Sequence, residues 1–214
     1  MFADRKQAGV ALGKALQKYE KVKPIVLAIP RGGVVVGYYV ALALECDFDV
    51  IITRKLGYPE QPEAGFGAIA EDGSLYLDPW SNRYISKDII TKVQAREAKE
   101  VQRRIQTYRD DRVLPTLEGR VVILVDDGIA TGATMMAAIR MCTKKNAEKI
   151  VVAAPVSAIK RISKLEGEAD EVIILFKSKQ LTAVSQGYRD FSNLSDEDVI
   201  PYLKKWYKLN KDRS

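Results

Sequence analysis

Two adjacent aspartates, Asp126 and Asp127, follow an apolar run and precede a loop of small and hydroxyl residues. The apolar run, residues 121–125, shows no polar alternation, which is typical of a strand buried on both faces within a parallel sheet. Glycines in the loop leave the backbone uncovered, so its N–H groups can bind an anion ahead of a helix that begins near Thr134. The segment predicts a phosphate-binding turn with two carboxylates at its edge.

A second turn that could bind an anion follows the short apolar run of residues 25–29, which predicts a buried strand. Its glycines permit unusual dihedrals and bring backbone N–H groups next to a cationic side chain. The residues concerned are Arg31, Gly32 and Gly33. Taken alone, this turn is more typical of an ordinary strand-to-helix connection than of an anion site.

Arg54 and Lys55 follow a third apolar run, residues 49–53, which also predicts a strand. Arginine can fork onto phosphate oxygens, and lysine acts as a point charge. The alternative is a pair of solvated charges beside a turn.

The elements that must position these side chains alternate between strand and helix. Further strands are predicted at residues 150–154 and 172–176, and helices at 8–19, 34–45, 86–110, 135–143 and 159–165. This alternation predicts an α/β fold, a doubly wound and mostly parallel sheet with helices on both faces. Ligands of such sheets lie beyond the carboxyl ends of the strands. The three turns are therefore expected to form one anion-binding pocket.

Composition sets limits on the class of protein. The 214 residues are 47% hydrophobic and 29% charged, and no apolar run approaches the ~20 residues of a membrane span. The charged start lacks the apolar core of a secretory signal, so a soluble cytoplasmic protein is expected. Cys46 and Cys142 predict buried free thiols. Histidine is absent, which leaves acid-base chemistry to carboxylates, lysine or tyrosine.

Residues 56–78 are rich in proline and glycine and predict a flexible loop that carries a hairpin around residues 71–74. Glu63 and Glu71 are its candidate carboxylates, and a surface excursion without a chemical role is the alternative. The helix predicted at 86–110 carries many basic residues. Because acidic residues are interleaved and no aromatic residues accompany the basic ones, a solvated face is favoured over RNA contact.

Residues 122–134 resemble the signature of the type I phosphoribosyltransferases: apolar residues, two acidic residues and a loop of the form A-T-G-x-T. The resemblance implies transfer of the 5-phosphoribosyl group from 5-phosphoribosyl-1-pyrophosphate (PRPP) to a nitrogenous base, with Mg²⁺ on the pyrophosphate. It also implies that Asp126 and Asp127 orient the ribose hydroxyls and contact the metal indirectly, through water or PRPP, and that a mobile lid over the site comes from the loop at 56–78.

The other site residues follow from the same resemblance. The 5′-phosphate loop would comprise Gly128, Ile129, Ala130, Thr131, Gly132, Ala133 and Thr134. Pyrophosphate would contact Arg31, Gly32 and Gly33, with Arg54 and Lys55 as further catalytic cations.

In the family, a hood built from the chain termini covers the base. We therefore expect one domain over residues 1–214, with a core at about 20–178 and a hood formed by the N-terminal segment and about 179–214. Tyr188 and Phe191 are candidates to stack on the base, although packing is the simpler role for such rings. Ser195 and Asp198 predict a helix cap, but Pro201 puts the following helix in doubt.

Ala130 departs from one branch of the family. Members that act on 6-oxopurines usually carry an aspartate there, which can exchange a proton with the ring. Alanine is closer to the adenine-type pattern, so an adenine-type or unusual acceptor is favoured. We expect nucleotide salvage by a homodimer or higher homo-oligomer, with no membrane partner and with nucleic acid disfavoured as a partner.

Two alternatives stay open at this point. A non-catalytic PRPP sensor that controls transcription or binds RNA could use the same pocket, because a fold does not establish a reaction. A phosphatase with Asp126 or Asp127 as nucleophile is the other.

Overall fold

The computed structural model describes residues 1–62, 64–110 and 112–211, which form a five-stranded sheet, a three-stranded sheet and six α-helices. The strands are β1 (Ile25–Ala28), β2 (Asp47–Val50), β3 (Thr53–Gly57), β4 (Gly65–Ala70), β5 (Leu75–Leu77), β6 (Val121–Val125), β7 (Lys149–Ala158) and β8 (Glu171–Ser178). The helices are α1 (Arg5–Ala15), α2 (Gly32–Leu44), α3 (Lys87–Arg109), α4 (Ala133–Lys144), α5 (Ile159–Glu166) and α6 (Asp196–Lys211).

The larger sheet is parallel throughout and has the strand order β2-β1-β6-β7-β8. From β1 the chain moves outward to β2, whereas from β6 it moves in the other direction to β7 and β8. The order therefore reverses between β1 and β6, whose residues Leu27 and Leu124 lie opposite each other. In open α/β sheets a ligand crevice lies beyond the carboxyl ends of the strands at such a switch point.

Helices cover both faces of this sheet, which confirms the predicted doubly wound architecture. Alternate residues of a strand point to opposite faces, and the core divides accordingly into two apolar layers. Val26 and Ala28 belong to the layer under α1, α2 and α6, while Ile25 and Leu27 belong to the layer under α4 and α5.

The smaller sheet is antiparallel, with the order β3-β4-β5. The predicted hairpin lies between β4 and β5, where Ala70 and Ser74 close the turn and Gly73 adopts a φ of 85°. Since β-hairpin turns often need positive φ, glycine suits this position. Glu63, a predicted lid carboxylate, lies outside the described residues.

The prediction of one strand over residues 49–53 was wrong. Strand β2 ends at Val50, and β3 begins at Thr53 in the other sheet. At the junction the backbone N–H of Ile52 donates to the carboxylate of Glu71, at 2.9 Å, so a side chain takes the place of a strand partner. Arg54 therefore lies within an antiparallel strand and not at the carboxyl end of a parallel one.

The doubt about a helix through Pro201 was also wrong, because α6 runs from Asp196 to Lys211. The predicted cap is present: the Asp198 carboxylate accepts from the N–H and hydroxyl of Ser195, and the N–H of Asp198 donates back to that hydroxyl. Proline inside a helix costs about 3 kcal/mol. Burial of Val199, Leu203 and Trp206 against the core offsets this cost.

Helix α3 begins after Ser86, whose hydroxyl accepts from the N–H of Ile89, and it confirms the predicted long helix. Much of its basic charge is paired along the helix, since Arg103 and Arg104 both bind Glu100. This pairing is typical of a solvated helix face. No helix within the described ranges is both long and apolar enough to cross a bilayer.

Candidate active site

The turns after β1 and β6 pack directly against each other at the switch point. The N–H of Ile29 donates to the carbonyl of Val125 at 2.8 Å. A Cβ on Gly33 would lie 2.8 Å from that same carbonyl oxygen, and a Cβ on Gly32 would overlap the carboxylate of Asp127. Glycine is therefore required by close approach at both positions. The structure brings together the two predicted anion turns.

Asp126 and Asp127 lie at the carboxyl end of β6 with their carboxyl groups side by side. The Asp126 carboxylate accepts the backbone N–H of Asp127 at 2.8 Å. Burial raises the pKa of Asp126 well above its usual range, and the neighbouring Asp127 carboxylate raises it further. Burial also raises the pKa of Asp127, although Arg5 opposes that shift. The pair holds one proton more readily than two separate surface carboxylates would.

Arg5 is a site residue that the sequence patterns did not indicate. Its Nε donates to Oδ2 of Asp127 at 2.7 Å, and its Nη1 donates to the carbonyl of Ser192 at 2.9 Å. The guanidinium carbon lies 3.9 Å from the centroid of the Phe191 ring. Because 122 residues separate Arg5 from Asp127, no local motif could have linked them.

The loop after the aspartates is open on its outer side. Ala130 and Thr131 are exposed, and Gly132 has a φ of 81° at the start of α4. The N-cap residue of this helix, Gly132, has no side chain with which to cap it. The first N–H groups of α4 are thus left for a ligand, and the helix dipole favours an anion there.

Two predicted members of the phosphate loop instead anchor it. The N–H of Ile129 donates to the carbonyl of Val156 at 2.9 Å, and its side chain is buried in the core. A Cβ on Gly128 would overlap the side chain of Val184. Strand β7 therefore already uses the N–H of Ile129, and the membership of Ile129 in the 5′-phosphate loop stays a prediction.

Arg31 joins its turn to the C-terminal helix. The peptide bond between Pro30 and Arg31 is cis, and Nη1 of Arg31 lies 3.9 Å from the Asp196 carboxylate. The Arg31 side chain is 43% exposed. An exposed and weakly paired guanidinium at this edge can turn towards an anionic ligand.

The expectation that Arg54 and Lys55 end a strand of the parallel sheet was wrong, as described above. Nε of Arg54 donates to the buried carboxylate of Glu97 in α3 at 3.0 Å. Successive residues of a strand point to opposite faces, so Arg54 and Lys55 do not present their charges to the same side. The pairing with Glu97 gives Arg54 a role in joining the small sheet to α3.

The predicted base-stacking rings lie beside the site, but Tyr188 is covered. Its ring packs against Phe2 and Phe191, and its hydroxyl donates to the backbone carbonyl of Asp127 at 2.5 Å. Packing of this kind argues against Tyr188 as a stacking surface for a base. Phe191 is half-buried, with Arg5 over one face of its ring.

Glu71, a predicted lid carboxylate, is held in a buried ionic cluster that joins the two sheets. Arg109 in α3 pairs with Glu71, and its Nε lies 3.8 Å from the Asp49 carboxylate in β2. The hydroxyl of Tyr207 donates to Asp49 at 2.9 Å. Burial raises the pKa of both carboxyl groups, although Arg109 opposes the shift in each case. In this arrangement Glu71 is a structural residue.

A parallel sheet with an acidic pair and two glycine-containing turns at its switch point is the arrangement found in many nucleotide-binding α/β proteins. Residues 6–185 match the phosphoribosyl transferase domain family. The chain belongs to this family.

A protein of Mycobacterium tuberculosis H37Rv, whose name as a phosphoribosyl transferase is provisional, is 39% identical over 97% of this chain. The chain spans 47% of that relative's length. The crystal structure of TT1426 from Thermus thermophilus has 39% identity and a TM-score of 0.82, covering 96% of this chain and 98% of that one.

A purine phosphoribosyltransferase from Pyrococcus horikoshii has 14% identity and a TM-score of 0.51, covering 89% of this chain and 92% of that one. At this identity the likeness shows the fold alone. The comparisons therefore show the family of this chain and do not show its acceptor.

The residues of the candidate active site suit a Mg²⁺ ion that is bound together with the phosphates of a substrate. Within the described ranges no group of three or more acidic, cysteine or histidine side chains could hold a metal ion. Mg²⁺ is usually bound by one or two carboxylates together with waters and substrate phosphates. Asp126 and Asp127 would be the two carboxylates of such a set.

Proposed function

We propose that the protein transfers the 5-phosphoribosyl group from PRPP to a nitrogenous base and releases pyrophosphate. The observation that carries the proposal is the packing of Gly32 and Gly33 against Asp126 and Asp127. PRPP has a phosphate at one end of its ribose and a pyrophosphate at the other. Two anion turns that flank a pair of carboxylates match that distribution of charge.

Each part of the site then has a chemical task. The N–H groups at the start of α4 and the hydroxyls of Thr131 and Thr134 hold the 5′-phosphate. Arg31 and the N–H groups of its turn neutralise the leaving pyrophosphate, for which Mg²⁺ supplies further positive charge when bound. Asp126 and Asp127 orient the ribose hydroxyls and stabilise the positive charge that develops on the sugar ring as pyrophosphate leaves.

We propose an adenine-type or unusual base as acceptor, in preference to a 6-oxopurine. Ala130 is exposed at the outer edge of the loop and offers no carboxylate with which to exchange a proton with a purine ring. Contact of Arg54 and Lys55 with pyrophosphate stays a prediction. Nucleotide salvage, homo-oligomer formation and a cytoplasmic location remain predictions.

The test is to incubate the protein with PRPP, Mg²⁺ and a panel of bases, and to follow pyrophosphate release together with nucleotide formation. Turnover with one base supports the proposal and identifies the acceptor. Binding of PRPP without turnover of any base would point to the sensor alternative, and absence of PRPP binding would refute both.

Asp126→Asn and Asp127→Asn test the roles of the carboxylates. We expect each to lower kcat about a hundredfold or more, by analogy with the removal of one transition-state contact in other enzymes. Asp47→Asn is the matched control, because Asp47 pairs with Arg120 where β2 begins, at the opposite edge of the sheet. Unchanged turnover in both site variants would remove the carboxylates from the mechanism.

A further inference from the structure

The first residue of α1, Arg5, occupies a position that local helix chemistry disfavours. The helix dipole places partial positive charge at this end, where acidic side chains are stabilising and cations are not. The first turn of α1 contains no acidic residue, and Arg5 is only 9% exposed. A buried cation at a helix N-terminus is costly unless a partner compensates it. The partner of Arg5 is Asp127, in the candidate active site.

The guanidinium of Arg5 is fixed from several sides. Nε donates to Asp127 and Nη1 donates to the carbonyl of Ser192, while the Phe191 ring lies against its face. A Cβ on Gly32 would lie 2.9 Å from Nε of Arg5, so the turn at residues 31–33 also limits the movement of the guanidinium. The side chain therefore has one arrangement in which all of these contacts are satisfied.

The backbone around Arg5 is fastened to the same region. Asp4 caps α1 by accepting the N–H of Gln7 at 2.7 Å. Before it, Phe2 pairs with residues 187–189 in the manner of a short parallel strand. The segment 1–5, which we term the N-terminal arm, is thus tied to residues 187–192, and Arg5 projects from it to the acidic pair.

We propose that Arg5 is a positioning residue, which fixes the Asp127 carboxylate through Oδ2 so that the group keeps the orientation needed at the ribose. This inference rests on the proposed function. Arg5 is placed behind the carboxylate and not against the substrate. A carboxylate bound at one oxygen keeps its orientation while its remaining lone pairs can accept hydroxyl groups. The arm and residues 187–192 would therefore be part of the active site.

A purely structural ion pair would behave differently when it is removed. Loss of a structural contact lowers stability and leaves turnover of the folded fraction unchanged. Loss of a positioning contact lowers kcat, because displacement of a reacting group by about 1 Å can cost about a hundredfold. PRPP affinity should change much less, since most of the binding contacts would lie on the two anion turns.

The experiment compares Arg5→Met, Arg5→Lys and the control Arg120→Met with the wild-type protein. Arg120 forms an ion pair of the same length, 2.7 Å, with Asp47 at the far edge of the sheet. Steady-state kinetics with PRPP and the accepted base give kcat and KM, calorimetry gives PRPP affinity with and without Mg²⁺, and urea unfolding gives stability.

We expect Arg5→Met to lower kcat ten- to a hundredfold, about the effect of a small misplacement of a reacting group, with PRPP affinity changed less than kcat. Arg5→Lys should recover part of the loss, because an ammonium can reach Asp127 but cannot fork to Ser192 as well. Arg120→Met should match the wild-type protein in kcat.

Two results would overturn the inference. Wild-type kcat in Arg5→Met shows that the pair is structural, and so does a loss of activity fully explained by the unfolded fraction. With either of these two results, turnover of PRPP by the wild-type protein means that the proposed function stands and that only the role of Arg5 is refuted. If the wild-type protein does not bind PRPP, both fall together.

Discussion

Replacement of Arg109 by methionine tests the buried ionic cluster that joins the two sheets. The side chain of Arg109 is 4% exposed, and those of its partners Asp49 and Glu71 are 4% and 7% exposed. Removal of the guanidinium leaves two buried carboxyl groups without their ion-pair partner. Such a loss costs about 3–5 kcal/mol, since an uncompensated buried charge remains. This is a large share of the about 5–15 kcal/mol by which domains are stable.

The assay is urea unfolding followed by tryptophan fluorescence. Trp206 is buried against Tyr38 and Phe48, so its emission should shift on unfolding. At a urea dependence of about 2 kcal/mol per molar, the expected loss lowers the midpoint by roughly 2 M. Arg103→Met is the control, because Arg103 is 51% exposed and its ion pairs should contribute at most about 1 kcal/mol.

The direction in which the loss of stability changes with pH follows from the pKa values of the two carboxyl groups. Burial raises the native pKa values of Asp49 and Glu71, so the folded protein binds these protons more tightly than the unfolded chain does. Their contribution to stability is present at low pH and is lost as the pH rises through the native pKa values. Without Arg109 both pKa values rise further, so the gap in unfolding free energy between variant and wild type should narrow as the pH falls through these pKa values. A gap below about 1 kcal/mol, the size of an exposed pair, or one that does not change with pH would refute this reasoning.

Two further predictions concern close packing and the thiols. Gly32→Ala should lower both the unfolding midpoint and turnover, because the added Cβ displaces the Asp127 carboxylate from its place beside Arg5. Gly167→Ala, where the carbonyl oxygen of Lys164 lies 3.7 Å from the added Cβ, should leave turnover intact. Full activity in Gly32→Ala would contradict the close approach. Burial raises the pKa of both Cys46 and Cys142 to about 12, so neither thiol should react with a thiol reagent at pH 8 until urea unfolds the chain, and rapid labelling of the native protein would contradict their burial.

The sequence predicted the sheet, the acidic pair and the two anion turns because each is encoded within a short segment. Continuous apolar runs ending in glycine or aspartate identify buried parallel strands and the turns after them. The run of residues 49–53 misled because its apolar content suited a strand, whereas the break after Val50 depends on Glu71, a residue distant in sequence. Local patterns cannot show a partner of that kind.

Arg5 and Tyr188 show the same limit at the site. Arg5 looks like any surface arginine near the start of a helix, and its contact with Asp127 exists only once the strands are assembled. Tyr188 was a candidate to stack on a base, with packing as the simpler role, and its hydroxyl donates to the backbone carbonyl of Asp127. The doubt about a helix through Pro201 was wrong for the opposite reason. There a local rule, that proline breaks a helix, was overridden by burial of the helix against the core.

The fastening of the N-terminal arm to residues 187–192 has a consequence for synthesis of the chain. Arg5 and Ser192 are 187 positions apart, so at about 5–20 residues per second the ribosome needs roughly 10–40 s to make the second after the first. During that interval β1 and β6 can already pair and present both anion turns. The turns after β1 and β6 would therefore meet before the contacts between the N-terminal arm and residues 187–192 form.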